Sequence, residues 1–368
     1  MQAKLRVLIT STSFNKVDPL PRERLIQHGY EIVDNPFNRP LKEDDLIPLL
    51  EDVDGVIAGL DEYSRKVIFS SKKLKVISRY GVGLDNINLE AARERGICVM
   101  NTPQVNTQAV ADLTFGLMLA VCRKIPQAHI STQKGSWGRL IGGGVYKKSI
   151  GIIGLGRIGK AVAERAKGFS MEILAHDVKK DEIFPQSLGI HYLSLVELLA
   201  QADFITLHCD LNPGSKGIIG ARELSLMKKT AYLVNTARGG LIDENALFEA
   251  LREKKIAGAA LDAFQNEPPL GSPLLTLDNI LTTPHIGSYT HEALLEMGLI
   301  AVDNLIRNLE KNTSYLWRGF SRRGPYNYFD RVIFSPSGDV GFNFLITKEG
   351  RWQLFIDGKN FPNEPLAT

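Results

Sequence analysis

Three side chains that could handle a proton and a carboxylate follow strand-like runs in the second half of the chain. Arg238 stands in AYLVNTARGG, Glu267 in GAALDAFQNEPP and His285 in ILTTPHIGS. The apolar part of each run is typical of a buried strand. Because ligands of an open parallel sheet bind at the carboxyl ends of its strands, we expect the three side chains to converge at one edge.

These residue types suit the interconversion of a 2-hydroxy acid and a 2-oxo acid. The guanidinium of Arg238 can bind the carboxylate through two parallel hydrogen bonds, a geometry that lysine does not offer. His285 can take the hydroxyl proton near neutral pH, and Glu267 can orient the imidazole. Taken singly, each residue also has a structural interpretation, as a surface ion pair, a loop acid or a hydrogen-bonding group at a strand end. Their combination favours chemistry.

A second histidine, His291, lies six residues after His285. It follows Ser288 and Thr290, either of which could cap a helix, and it precedes Glu292. We therefore predict that His291 lies in the first turn of a helix and is not the catalytic base.

A glycine-rich motif, GLGRIG, joins the strand-like SIGII to the helix-like GKAVAERAKGF. Its glycines, Gly154, Gly156 and Gly159, permit a tight turn and a close approach of the backbone to a pyrophosphate. Asp177 ends the next strand, eighteen residues beyond Gly159, which is close to the ~20-residue spacing of the acid that binds the adenosine ribose. The pattern predicts an NAD site. NADP is disfavoured because Asp177 would repel a 2′-phosphate.

Alternating strand and helix signals must position these groups. Short apolar runs at 5–10, 55–59, 75–79 and 97–100 alternate with helix-like segments, and a similar series begins at Ser149. This rhythm predicts an α/β fold with parallel sheets covered by helices on both faces.

Two longer helical segments are predicted, at about 107–134 and about 289–312. The most apolar stretch, LTFGLMLAVC (113–122), covers ten residues, whereas a membrane span needs about 20. We interpret it as a buried helix and predict no membrane association.

Length, net charge and cysteine spacing exclude several other classes of function. The length of 368 residues allows two ordinary domains, and a net charge of +3 is too small to indicate a nucleic-acid partner. Cys98, Cys122 and Cys209 stand far apart, which excludes the usual zinc-binding and disulfide frameworks, so we predict no metal. The N-terminal MQAKLRVLIT lacks the apolar region of a signal peptide, and we expect a cytoplasmic protein.

The composition changes after Asn312. The last 56 residues contain RVIFSPSGD, VGFNFLITKEG and RWQLFIDGKN. Three short apolar runs separated by turn signals predict an antiparallel meander. The segment 313–368 is therefore predicted to be a short β-rich extension, which looks like one blade of a β-propeller-like repeat, and its sequence indicates no function.

Residues 1–312 resemble the D-isomer-specific 2-hydroxyacid dehydrogenase family, most closely its D-3-phosphoglycerate dehydrogenase branch. The motifs that carry the resemblance are SRYGVGLDNI, NTPQVNTQAVADLTFGLMLA, GIIGLGRIGKAVA, NTARGGLIDENAL, ALDAFQNEPP and TPHIGS. The resemblance implies two doubly wound parallel-sheet domains. A flavodoxin-like substrate domain would cover 1–100, completed by 288–312, and a Rossmann NAD domain would cover 101–287. It also implies a homodimer that oxidises 3-phosphoglycerate, the first step of serine biosynthesis.

The resemblance also assigns roles to individual residues. The implied catalytic residues are Arg238, Glu267 and His285. The implied cofactor contacts are Gly154, Gly156, Arg157, Ile158, Gly159, Asp177, Cys209, Thr236, Ala237, Asp262 and Gly287. The implied substrate contacts are Arg79, Val82, Gly83 and Arg238, with Val82 and Gly83 acting through backbone N–H groups.

Departures from the family pattern leave the substrate open. The loop after the third predicted strand reads AGLDEYSR, whereas phosphoglycerate-type relatives often place arginines there to meet the phosphate. Glyoxylate, hydroxypyruvate and D-lactate therefore remain alternative substrates. An NAD-sensing binding protein of the corepressor type is an alternative of another class, and the intact set of three catalytic residues argues against it.

Overall fold

The computed structural model describes residues 4–181 and 183–310, together with the backbone of four short strands nearer the C-terminus. The chain divides into two compact units. The first comprises Met1–Thr102 and Leu295–Thr368, and the second comprises Pro103–Leu294.

The first unit contains a parallel five-stranded sheet. Its strands are β1 (Arg6–Ile9), β2 (Glu31–Asp34), β3 (Gly55–Ala58), β4 (Val76–Arg79) and β5 (Cys98–Met100). The strand order β2-β1-β3-β4-β5 is that of a flavodoxin-like sheet. Every residue of β3 and β4 is buried, as expected for apolar strands that are covered on both faces.

Four helices connect these strands. They are α1 (Leu20–Gln27), α2 (Glu43–Leu49), α3 (Arg65–Ser70) and α4 (Leu89–Glu94). Two of them begin at side-chain caps, since the side chains of Ser64 and Asn88 accept hydrogen bonds from Val67 N and Ala91 N. Fully buried side chains of this unit, Leu8, Leu46, Val56 and Ile77 among them, form one core.

The second unit contains a parallel seven-stranded sheet. Its strands are β6 (Ser149–Ile153), β7 (Glu172–His176), β8 (His191–Tyr192), β9 (Phe204–Leu207), β10 (Tyr232–Asn235), β11 (Gly258–Leu261) and β12 (Ile280–Thr282). The order β12-β11-β10-β9-β6-β7-β8 reverses between β6 and β9. The carboxyl end of β6 therefore lies at the topological switch point, where ligands of such sheets bind. The predicted doubly wound parallel sheets are confirmed.

Seven helices of this unit cover the sheet. They are α5 (Thr107–Cys122), α6 (Ile125–Gln133), α7 (Arg157–Gly168), α8 (Phe184–Leu188), α9 (Leu195–Gln201), α10 (Ala221–Leu226) and α11 (Glu244–Arg252). Fully buried side chains form two cores. Met118 and Val162 belong to a core with Ile150 and Ile152 of β6, and Leu198 and Leu247 belong to another with Leu233.

The long helical segment predicted at about 107–134 is present but divided into two helices. The structure has α5 and α6, separated by Lys124, whose backbone is left-handed at φ 54°. Pro126 has no N–H to donate to the carbonyl of Cys122, so α5 cannot continue through it. Gly143 N donates to that carbonyl instead, at 2.8 Å. Within the described part of the chain, no helix is both long enough and apolar enough to cross a membrane.

The final helix, α12 (His291–Leu309), is shorter than the predicted 289–312. Thr290 Oγ1 accepts a hydrogen bond from Ala293 N at 3.2 Å, which confirms a cap at this end. The prediction that His291 lies in the first helical turn is confirmed as well. Farther along the helix, Ala301 O accepts a hydrogen bond from Ser78 Oγ of β4 at 2.8 Å.

Four short strands follow α12: β13 (Tyr328–Asp330), β14 (Phe342–Ile346), β15 (Trp352–Ile356) and β16 (Lys359–Phe361). The described strands form an antiparallel sheet in chain order, so the β-rich extension is confirmed, and two of the predicted strands correspond to β14 and β15. The predicted strand RVIF (331–334) and the predicted turns SPSGD and TKEG lie outside the described residues.

Candidate active site

The glycine-rich loop after β6 is shaped to receive a pyrophosphate. Gly154 has φ 95°, and a Cβ on it would lie 2.5 Å from Cys209 N. A Cβ on Gly159 would collide with the carbonyl of Gly154, so both positions require glycine. The first helical residue of α7, Arg157, follows directly, and the N–H groups of a helix's first turn have no partner within the helix. The loop and the helix N-terminus together fit a dinucleotide phosphate group.

Asp177 follows β7 and is half-buried. Its Oδ2 accepts a hydrogen bond from Leu155 N of the glycine-rich loop at 2.7 Å, and its Oδ1 accepts one from Lys179 N at 2.8 Å. The carboxylate is thereby fixed beside the loop, and each oxygen retains a lone pair for a ribose hydroxyl. The residues of this loop therefore fit NAD.

His208, which directly precedes the predicted cofactor residue Cys209, also lies beside the glycine-rich loop. A Cβ on Gly154 would lie 2.7 Å from the carbonyl carbon of His208. Both ring nitrogens are buried, and neither has a hydrogen-bond partner within residues 4–181 and 183–310. Burial lowers the pKa of His208 to about 3 and raises the pKa of the neighbouring Cys209 thiol to about 11. Both side chains are therefore neutral at physiological pH.

Glu267 and His285 form a hydrogen-bonded pair at the carboxyl ends of β11 and β12. His285 Nδ1 lies 2.8 Å from Glu267 Oε2 and 3.0 Å from Oε1. Burial alone would raise the pKa of Glu267, but the hydrogen bond and charge of His285, with the nearby Arg238, hold it below its usual value. The side chains of His285 and Glu267 are 28% and 31% exposed. The pair therefore leaves Nε2 of the imidazole for another partner.

Arg238 lies near this pair because the loop that carries it packs closely against the loop that carries Glu267. A Cβ on Gly239 would collide with the carbonyl carbon of Phe264, so only glycine lets the loop after β10 pack against the loop after β11. Phe264 N in turn donates to Glu267 Oε1 at 3.1 Å. Arg238 itself is half-buried, and its Nη1 donates to Ala237 O at 2.9 Å. The predicted convergence of the three residues is thus visible in the structure, whereas their catalytic roles stay a prediction.

The turn that carries His285 is fixed by Asp262, which is buried. Asp262 Oδ1 accepts hydrogen bonds from Thr283 Oγ1 at 2.6 Å and from Ile286 N at 2.8 Å, and Oδ2 accepts one from Gly287 N at 2.8 Å. His285 lies between these anchors with φ 53°, a left-handed conformation that is uncommon outside glycine. Asp262 therefore holds the turn that carries His285, a role that the sequence did not reveal. Cofactor contacts by Asp262 and Gly287 stay a prediction.

The other predicted cofactor residues after β10 lie in the turn that carries Arg238. Thr236 Oγ1 is 2.8 Å from Thr114 Oγ1 of α5, and Ala237 N donates to the side chain of Asn235 at 3.0 Å. Arg157 and Ile158 lie at the start of α7. Every predicted cofactor residue thus lies at the carboxyl edge of the seven-stranded sheet.

The predicted substrate residues of the first unit differ in exposure. Arg79 is only 7% exposed, and its Nη1 donates to Ala58 O at 3.4 Å and to Tyr80 O. Val82 and Gly83 are half-buried, and Val82 O accepts a hydrogen bond from Asn101 Nδ2 at 2.8 Å. Arg79 thus supports the backbone of its own sheet edge, and its contact with substrate stays a prediction.

Comparison with known proteins agrees with this geometry. Residues 115–287 match the model for "D-isomer specific 2-hydroxyacid dehydrogenase, NAD binding domain". A D-3-phosphoglycerate dehydrogenase of Methanocaldococcus jannaschii is 48% identical over 269 residues, which are 72% of this chain and 51% of the relative, about half its length. A glyoxylate reductase of Korarchaeum cryptofilum is 41% identical over 71% of this chain and 81% of the relative. The crystal structure of TT0316 protein from Thermus thermophilus superposes with a TM-score of 0.76 at 38% identity, covering 83% of this chain and 97% of that one.

Proposed function

Because the chain belongs to the D-isomer-specific 2-hydroxyacid dehydrogenase family, we propose that it interconverts a D-2-hydroxy acid and its 2-oxo acid with NAD as cofactor. The observation that carries this proposal is the Glu267–His285 pair beside Arg238. An oriented base and a carboxylate-binding cation are the two groups that such a substrate requires.

Each of the three residues has one proposed role. NAD, when bound, exchanges a hydride with the substrate C2. Arg238 binds the substrate carboxylate and so fixes C2. His285 accepts the C2 hydroxyl proton on Nε2 during oxidation and returns it to the carbonyl oxygen during reduction. Glu267, kept ionised by its lowered pKa, holds the imidazole in one orientation through Nδ1.

The cofactor contacts are proposed from the loops described above. Gly154, Gly156 and Gly159 would leave room for the pyrophosphate, and Arg157 and Ile158 would lie against it at the start of α7. Asp177 would bind the ribose, and Cys209 would line the rim. Thr236, Ala237, Asp262 and Gly287 would line the nicotinamide side. These assignments rest on the positions of the residues at the carboxyl edge of the second sheet.

The first candidate substrate pair is 3-phosphoglycerate and 3-phosphohydroxypyruvate. It is supported by the relative named D-3-phosphoglycerate dehydrogenase, at 48% identity over 269 residues. In this proposal Val82 and Gly83 contribute backbone N–H groups to the substrate carboxylate.

A second candidate, glyoxylate or hydroxypyruvate, is favoured by the loop after β3. This loop, Gly59–Ser64, contains no arginine or lysine. Its Leu60 is 47% exposed, and the exposed Glu62 brings a carboxylate that would repel a phosphate. A small unphosphorylated acid has no phosphate group and therefore needs no cationic side chains in this loop. The relative named glyoxylate reductase agrees with this alternative.

Steady-state rates with NADH decide between the candidates. We would compare kcat/KM for 3-phosphohydroxypyruvate, hydroxypyruvate, glyoxylate and pyruvate, the last of which tests D-lactate dehydrogenase activity. A preference for the phosphorylated acid supports the first candidate, and equal or higher kcat/KM for hydroxypyruvate or glyoxylate supports the second. Failure to reduce any 2-oxo acid would contradict the proposed function and favour an NAD-sensing binding protein.

We also propose that the chain forms a homodimer through the segment 125–146. Helix α6 has no buried residue, and large apolar side chains of this segment are exposed: Ile125 53%, Ile130 49%, Trp137 82%, Ile141 89% and Tyr146 67%. These five large apolar side chains, exposed within one 22-residue segment, favour a protein–protein contact there. Light scattering of the wild type should give twice the chain mass, and the double variant Trp137→Ser, Ile141→Ser should give the monomer mass.

A further inference from the structure

Asn235, the last residue of β10, uses both ends of its side-chain amide on the turn that carries Arg238. It is fully buried. Its Oδ1 accepts a hydrogen bond from Ala237 N at 3.0 Å, and its Nδ2 donates to Arg238 O at 2.9 Å. One side chain therefore fixes the Thr236–Ala237 peptide through its N–H and the Arg238–Gly239 peptide through its C=O.

The same turn positions the guanidinium directly. Arg238 Nη1 donates to Ala237 O at 2.9 Å, and this carbonyl belongs to the Ala237–Arg238 peptide, which lies between the two peptides that Asn235 holds. The turn is anchored on its other side by the Thr236–Thr114 hydroxyl contact at 2.8 Å. Any rotation of these peptides would redirect the guanidinium, because its hydrogen-bond partner would move with them.

The turn that carries His285 is held independently. Its anchor is the Asp262 carboxylate, which contacts Thr283, Ile286 and Gly287. The two turns are linked through the backbone, where Asp262 N donates to Asn235 O at 2.8 Å. A side-chain change at Asn235 leaves that backbone bond in place, so it should disturb Arg238 without displacing His285.

We propose that Asn235 is a positioning residue that sets the direction of the Arg238 guanidinium and thereby the affinity for the substrate carboxylate. This inference rests on the proposed function, in which Arg238 binds that carboxylate. It adds a residue that touches neither substrate nor cofactor and acts only through Arg238.

Two variants test the proposal. Asn235→Asp keeps the size of the side chain and the acceptor for Ala237 N but replaces the donor that faces Arg238 O. Asn235→Ser keeps a short acceptor, adds no charge and cannot reach Arg238 O. The probe is oxamate, which carries a carboxylate but no reducible ketone, and its Kd is measured on the enzyme–NADH complex. We expect both variants to weaken oxamate about tenfold, equivalent to about 1.4 kcal/mol, with the Kd of NADH within twofold of the wild type.

A matched control and an Arg238 variant separate the possible failures. Asn279→Asp changes another side chain that donates to a backbone carbonyl, Leu251 O at 3.1 Å, and should leave the Kd of oxamate unchanged. If Arg238→Ala weakens oxamate but both Asn235 variants bind it within twofold of the wild type, the inference is wrong. Equal weakening of oxamate and NADH in the Asn235 variants would also overturn it, because it indicates a general structural role. If Arg238→Ala leaves oxamate unaffected, the proposed carboxylate clamp itself fails.

Discussion

The carboxyl edges of the two parallel sheets carry similar polar residue types in opposite states of burial. In the first unit, Asp61 is fully buried and Arg79 is 7% exposed, and both are bonded to the protein's own backbone. In the second unit, the side chains of His285 and Glu267 are 28% and 31% exposed. The carboxylate of Asp61, whose hydrogen bonds are all made inside the protein, is not accessible to a substrate. Exposure thus separates Asp61, which builds its sheet edge, from the Glu267–His285 pair.

Asp61 illustrates the structural case. Its Oδ1 accepts from Leu41 N at 2.7 Å, and its Oδ2 accepts from Gly59 N at 3.0 Å and from the hydroxyl of Thr10. Burial raises the pKa of this carboxyl. These bonds join the loops after β1 and β3 to the segment that precedes α2. Asp61 therefore orders its sheet edge at the cost of being inaccessible.

The largest effect on kcat is expected at the Glu267–His285 pair. His285→Asn removes the group that exchanges the proton but keeps a similar polar side chain. General acid–base catalysis contributes about 10²- to 10⁴-fold, so kcat should fall by about that factor at every pH, while the Kd of NADH changes little. Steady-state kinetics from pH 6 to about 9 test this. An unchanged kcat at any pH in this range would refute His285 as the base.

A smaller effect of a different kind is expected at the buried edge. Asp61→Asn places an NH₂ group against a backbone N–H or a hydroxyl donor, so a buried donor loses its acceptor. The unfolding free energy should fall by about 1–3 kcal/mol, while kcat of the folded enzyme stays within about threefold of the wild type. Urea denaturation and initial rates on the same preparation test both parts. A loss of kcat comparable to that of His285→Asn would break the distinction between the two edges.

The effect that is smallest at neutral pH concerns His208, a buried group at the carboxyl edge of the second sheet. Its pKa is lowered from 6.5 to about 3. Between these pH values the imidazole is protonated in the unfolded chain and neutral in the folded chain. The free energy of unfolding therefore keeps its full value with respect to this group above pH 6.5 and decreases as the pH falls toward 3. His208→Leu should therefore lose less stability than the wild type between pH 7 and about 4.

Urea midpoints across this pH range provide the measurement for His208. The exposed His191 supplies the control, and His191→Leu should follow the wild-type pH dependence. An identical pH dependence of the wild type and His208→Leu would show that the His208 imidazole is not held neutral.

The sequence was sufficient to predict the groups that directly follow strands or begin helices. The GLGRIG motif, Asp177 and the three residues after β10, β11 and β12 were found because parallel strands bring their carboxyl ends to one edge. Alternating apolar runs likewise predicted both parallel sheets. These features depend on local pattern and on one rule of topology.

Features that depend on tertiary contacts were not predictable. Pro126 marks the break between α5 and α6 in the sequence, but the sequence does not show that a distant donor, Gly143, bonds the carbonyl of Cys122. The buried state of Arg79 depends on neighbouring strands, and the hydrogen bonds of Asn235 and Asp262 depend on the conformation of turns. None of these carries a signal in residue spacing.

We propose that a hydride passes from NADH to C2 of a 2-oxo acid at the carboxyl edge of the second sheet, where Arg238 binds the substrate carboxylate. The most direct test uses NADH deuterated at both C4 positions and the best 2-oxo acid of the substrate panel. We expect one deuterium at C2 of a D-2-hydroxy acid product, with the transfer rate falling sharply in Arg238→Ala. A product without deuterium at C2, or an equal rate of transfer in Arg238→Ala, would contradict the account.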